Sequence, residues 1–199
     1  MGTTVNKKLV LPPGLGNYAA IFKPRAYENQ DPKFSIVLSW PKAEKESLTP
    51  LIQAIVAAAK ATFGEEAVAL LKNGKLKNPL RDGDTETGED GKPRFPGQYF
   101  LTASAKADRA PQIVDAKVQP VFEEGEAYSG CTFRASVNLF TFEKKGNRGV
   151  AVGLNNLQVV KKGPRLDGRK SAEEDFAAFK EEGGGSSTSG EASGADDLL

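Results

Sequence analysis

The sequence predicts a mainly β chain carrying one inserted helical stretch, an α+β arrangement. Three stretches carry that prediction. Residues 131–160 alternate apolar and polar side chains through two long runs joined by a Lys-, Gly- and Asn-bearing loop, the pattern of a β-hairpin. Residues 34–40, FSIVLSW, alternate in the same way. Between them, Leu51, Ile55, Ala58, Ala59 and Thr62 recur at helical spacing.

Taken in order, residues 7–16 read as a basic, proline-bearing lead-in. Gly14-Leu15-Gly16-Asn17-Tyr18-Ala19 matches the spacing of a dinucleotide fingerprint, but Pro12 and Pro13 precede it and a strand-like run follows. The fingerprint needs a strand before and a helix after, so the match is rejected. Residues 18–27 form a first strand that Pro24 interrupts or ends, with Lys23, Arg25 and Tyr27 grouped around it. Residues 34–40 form the next, with Phe34, Ile36, Leu38 and Trp40 on one face. Trp40, the sole tryptophan, is either a core anchor or a stacking platform.

The helical part covers residues 48–73, broken or kinked at Gly64 and closed at Gly74. Its polar face is thinly basic, so packing on the sheet is the expected role. Residues 75–97 make a long loop rich in Gly, Pro and charge. Its acidic centre fails as a calcium loop: counted from Asp82, the sixth position is Thr87 instead of Gly and the twelfth is Pro93 instead of Glu. Basic and aromatic residues flank that centre and are placed to close over a bound strand.

Residues 99–106 form another strand, and a run over 112–121 follows. In the hairpin, Phe133, Ala135, Val137 and Leu139 share one face. Arg134, Phe140 and Phe142 share the other, and Lys144, Lys145 and Arg148 form a basic tip. Two phenylalanines beside an arginine on the outer face suit stacked bases and phosphates, or else pack under the helix. Residues 171–182 fit a short helix capped by Ser171 and Glu174. Residues 183–199 are Gly/Ser-rich and end Asp196-Asp197-Leu198-Leu199, the composition of a flexible acidic tail spanning roughly 20 Å. The domain division is therefore 1–182 folded and 183–199 tail.

The 199 residues contain no histidine and a single cysteine, Cys131. That closes the His/Cys zinc arrangements and most routes to acid–base catalysis, so no enzyme, cofactor or metal is expected. The lone cysteine points to a reducing, cytoplasmic setting, and no apolar run is long enough to span a bilayer. Net charge is +1, but it is divided: residues 1–165 carry 24 Lys and Arg against 17 Asp and Glu, and residues 166–199 carry 3 against 9. A basic body with an acidic end implies a polyanion ligand and an internal competitor for it.

The order of elements fits a small antiparallel barrel, closed or partly open, of the OB-fold kind, whose exposed strand face binds oligonucleotides. A sandwich is the alternative. The segments NPLRDGD (78–84), APQIVDA (110–116), YSGCTFRASVNLF (128–140) and GVAVGLNNLQVVKKGPRLDGR (149–169) resemble a family of tailed-phage single-stranded DNA-binding proteins with an OB-fold. The resemblance runs from about residue 18 to 179. It implies sequence-independent binding of single-stranded DNA in phage replication and recombination, in the cytoplasm of the bacterial host. The acidic tail resembles, in general plan, tails that recruit replication proteins such as a polymerase, helicase or primase. The residues of this tail are Asp196, Asp197, Leu198 and Leu199, where such tails often end in an aromatic. A homodimer is left open.

Strand parity and charge, rather than the resemblance, select the candidate contacts. They are Arg134, Phe140, Phe142 and Lys144 from the hairpin, with Lys23, Arg25, Trp40, Lys77, Arg81, Arg94, Tyr99 and Arg109. Cations would neutralise phosphates while rings stack on bases. The competing class is a phage interaction or structural module whose basic face docks an acidic partner. A carboxylate-based metal-dependent nuclease is more distant, because its acids would sit in a loop and a tail.

Overall fold

The computed structural model describes residues 4–26, 30–88, 90–144, 146–166 and 168. The strands are β1 (Thr4–Val10), β2 (Gly14–Arg25), β3 (Lys33–Pro41), β4 (Arg81–Asp82), β5 (Gln98–Lys106), β6 (Gln112–Val114), β7 (Thr132–Lys144) and β8 (Asn147–Lys161). Between β3 and β4 come a 3-10 helix over Lys42–Leu48, then α1 (Thr49–Phe63) and α2 (Ala67–Lys72). The helix expected over 171–182 and the tail over 183–199 lie outside the described residues.

Five strands close a ring: β2 pairs β3, β3 pairs β5, β5 pairs β8, β8 pairs β7, and β7 returns to β2. This is the OB-like arrangement, with the helices inserted between its second and third strands. The ring is mostly antiparallel, but β8 lies parallel to both β5 and β6. Alternation explains what fills it. From the inner parity come Ile36, Leu38 and Trp40 of β3, Leu101 and Ala103 of β5, Phe133 to Leu139 of β7, and Val150 to Leu154 of β8. Each is nearly or fully sealed from solvent. Helix α1 adds Leu51, Ile55, Ala58 and Ala59 to the same cluster. It meets β7 through a 3.0 Å contact between the Thr62 and Thr141 hydroxyls. Thus the helical stretch packs on the sheet, as its thinly charged polar face implied. Among the described residues no helix is long and apolar enough to cross a membrane.

Two elements differ from the sequence reading. The basic lead-in overlaps β1, which pairs with β7. The first predicted strand begins at Gly14 instead of Tyr18. Its glycines looked like loop residues, but they are needed because large rings lie against them. A Cβ on Gly14 would stand 2.6 Å from Trp40 Cε2, and one on Gly16 would stand 2.5 Å from the Phe133 ring. Close packing, not turn formation, selects glycine here.

Candidate nucleic-acid interface

The outer surface of β2, β3 and β5 is built in rows, because directly paired residues point to the same side of a sheet. One row joins Leu15, Ser39, Phe100 and, through the short β4, Arg81. The next joins Asn17, Val37 and Thr102, and a third joins Ala20, Ser35, Ser104 and Gly153 of β8. These rows of small or short side chains form a shallow floor. Rings and cations stand along its first edge.

At that edge the Arg81 guanidinium lies over the Phe100 ring, 4.3 Å from its centroid, and reaches the Thr102 hydroxyl at 3.3 Å. Phe95 packs on Phe100 with centroids 4.6 Å apart, and Tyr18 meets Phe95 edge-on at 6.3 Å. Arg94 stands 5.8 Å from the centre of the Tyr18 ring. Burial separates their roles: Phe100 is 1% exposed and Phe95 8%, whereas Tyr18 is 63% exposed. Phe95 and Phe100 are a base; Tyr18 is the free platform. Its exposure has a backbone cause. The β2–β3 register slips between Asn17 and Ala20, and Tyr18 has φ 48° there. Such a conformation is costly for a non-glycine residue, and an irregularity of this kind re-aims a side chain away from the regular pleat.

The segment leading from β4 to β5 is fastened at both ends. Lys42 Nζ bonds Asp82 and Asp84 at 2.6 Å each, and Asp84 Oδ1 accepts the Gly97 amide at 2.7 Å. These bonds to Lys42 hold both carboxyls below their ordinary value, and the same bonds raise the Lys42 ammonium above its own. Gly83 then allows close approach, since a Cβ there would lie 2.0 Å from the Phe95 carbonyl oxygen. Arg81 pairs with Glu86 at 2.8 Å, and burial pushes its guanidinium pKa down against that pairing.

Beside Arg81 the floor continues into a cleft of about 720 Å³, lined by Lys77, Arg81, Thr102, Ser104, Ala151 and Phe142 among others. Lys77 is clamped to β8: its amide donates to the Arg148 carbonyl at 2.9 Å, and its carbonyl accepts from the Val150 amide at 3.0 Å. Phe140 and Phe142 keep the outer parity and are half-buried, and Phe142 lines this cleft together with Leu71 of α2. Lys144 is exposed two residues further along the same strand.

The structure therefore brings Lys77, Arg81, Arg94, Phe142 and Lys144 toward one side of the barrel. Tyr99 is half-buried on the inner parity of β5, with Lys42 5.5 Å from its ring. Lys23 is exposed and pairs with Glu124 at 3.4 Å, while Arg25 and Arg109 are exposed at the opposite end of the floor. Arg134 is exposed but belongs elsewhere, in a groove with Val10, Pro12, Pro13 and Pro50. Trp40 is corrected outright: it is 0% exposed, with its Nε1–H donating to the Pro12 carbonyl at 3.3 Å, so it cannot meet a ligand. Its parity with Ile36 and Leu38 already placed it inside. The tail residues Asp196, Asp197, Leu198 and Leu199 lie outside the described residues. Tyr18 and Phe100 were missing from the sequence-based set, and Phe95 entered it only among the aromatic residues flanking the acidic centre of the 75–97 loop. Among the described residues no group of three His, Cys, Asp or Glu is arranged to hold a metal.

A family model described as Enterobacter phage Enc34, ssDNA-binding protein, matches residues 9–185. Putative protein p50 of Acyrthosiphon pisum secondary endosymbiont phage 1 is 31% identical over 132 residues, 62% of this chain and 68% of that protein. Among solved structures, the single-stranded DNA-binding protein from bacteriophage Enc34 in complex with ssDNA superposes with a TM-score of 0.64 at 19% identity. The match covers 80% of this chain and 89% of that one. Bacteriophage T7 gp2.5, a single-stranded DNA binding protein, superposes with a TM-score of 0.57 at 15% identity, covering 93% and 100%. With the family model spanning most of its length, the chain belongs to the phage Enc34 single-stranded DNA-binding protein family.

Proposed function

We propose that this protein binds single-stranded DNA without reading its sequence, on the outer face of β3 and β5, during phage DNA replication and recombination. The observation that carries the reading is Tyr18: an exposed ring, set out by an irregular backbone, beside Arg94 and a buried ring cluster capped by Arg81. Every base offers a π-face, so stacking tolerates any sequence, and in a duplex those faces are hidden. Phosphates following the bases would meet Arg94, Arg81 and Lys77, with counterion release giving a steep salt dependence. Binding needs no catalytic group. The acidic 183–199 segment competes with DNA for the basic body and, once displaced, is free to recruit replication proteins.

Titration with oligo-dT and with duplex DNA of equal length tests the central reading. Tight, salt-sensitive binding to oligo-dT and much weaker binding to the duplex is the expected result. Equal affinity for both, or binding only to an acidic protein partner, would refute it.

A further inference from the structure

Resting on that reading, we infer that Arg25, Lys33 and Lys106 form a second phosphate-binding element, which takes the backbone of the same strand at the far end of the floor. Arg25 is paired directly with Lys33, and Lys33 directly with Lys106, so the three lie side by side across β2, β3 and β5. All three are exposed. Lys33 precedes the inward-facing Phe34 and so has the outer parity, the same as Ser35 and Thr102 of the floor.

Like charges directly opposite one another in a sheet are destabilising, and a compensating acid is the ordinary remedy. Among the described residues no ion pair supplies one. The ion pairs among the described residues engage Lys23, Lys42, Lys60 and Arg81, and none engages Arg25, Lys33 or Lys106. Three neighbouring strands thus each contribute to one line a cation that no ion pair among the described residues engages, and a polyanion crossing the sheet would relieve their repulsion. Along β3 this line stands six residues from the Ser39–Phe100 row, about 20 Å at the usual strand rise. On β3 and β5 the outer-face residues between the two are Ser35, Val37, Thr102 and Ser104, none of them large. Stacked nucleotides rise about 3.4 Å each, so roughly six would reach from the Phe100 row to the cationic line. The division of labour follows: rings grip bases at one end, and point charges hold phosphates at the other.

The test uses the full chain and a twelve-nucleotide oligo-dT over a range of salt. The triple variant Arg25→Gln, Lys33→Gln, Lys106→Gln should flatten the log K against log[salt] slope by about 2, at about 0.7 per phosphate. Between 50 and 200 mM salt, the unaltered protein should then lose roughly 20-fold more affinity than the variant does. The charge-keeping variant Arg25→Lys, Lys33→Arg, Lys106→Arg should retain the original slope. Tyr18→Ala should weaken binding at every salt concentration with its slope unchanged. A triple variant that keeps the full slope while the unaltered protein binds would overturn the inference and leave the proposed function standing. Absence of oligo-dT binding by the unaltered protein would overturn both.

Discussion

Two aromatic residues on adjacent strands have opposite fates, and a pair of substitutions separates them. Trp40 is sealed against Gly14 and bonded to Pro12, so Trp40→Ala opens a cavity and should cost about 3–5 kcal/mol of stability, read by urea denaturation. In the intact protein its emission should resist acrylamide quenching with or without oligo-dT. Tyr18 stands in solvent, so Tyr18→Ala should change stability by no more than about 0.5 kcal/mol. It should nevertheless weaken oligo-dT binding by roughly 5- to 150-fold, the equivalent of one lost stack at about 1–3 kcal/mol. If both substitutions altered stability alike, the division between core ring and platform would fail.

At the scale of elements, β4 and the segment that leads from it to β5 matter most, because they present Arg81, Arg94 and Phe95 to the outer face. Its fastening to Lys42 has a definite pH window. The folded carboxyls of Asp82 and Asp84 titrate below the ordinary 3.8, so their contribution is complete above that value. It is lost as pH falls through their lower folded pKa values. Lys42 titrates above its ordinary 10.5, so its share is complete below that value and is lost only beyond it. The fastening is therefore whole at neutral pH. In an acid titration followed by amide NMR, the Gly97 and Asp84 resonances should move with a midpoint below 3.8. A midpoint at or above it would contradict the bonding. Lys42→Met should speed hydrogen exchange at Gly97 and weaken oligo-dT binding, with the barrel's melting otherwise kept.

For the molecule as a whole, the relevant quantity is charge distribution. On the proposed function, the excess of cations in residues 1–165 and of acids in 166–199 would make the chain its own competitor at low salt. Deleting 183–199 should tighten oligo-dT binding at low salt, and the gain should shrink as salt screens the tail. Unchanged affinity across that titration would reject the competition. The same experiment bears on the domain division, since removing a tail independent of the core should leave the thermal midpoint unaltered.

Much of this protein was legible from residue order alone. Alternation located the hairpin and the strands over 34–40 and 99–106, and helical spacing located α1 and α2. Charge marked Arg81, Arg94 and Lys77, because local periodicity and local chemistry are properties of neighbouring residues. What period and charge could not decide was which strands lie side by side. The return of β7 to β2 and the parallel contact of β5 with β8 close the ring, and both depend on residues far apart in the chain. That closure put Arg134 away from the floor, and the β2–β3 and β3–β5 pairings lined up Arg25, Lys33 and Lys106. The parity rule also fails at a register slip, so Tyr18 was hidden from it, and Gly14 and Gly16 read as loop until the rings they accommodate were in place. Local sequence determined the elements and their inner faces; long-range pairing, which has no short-range code, decided what the outer face became.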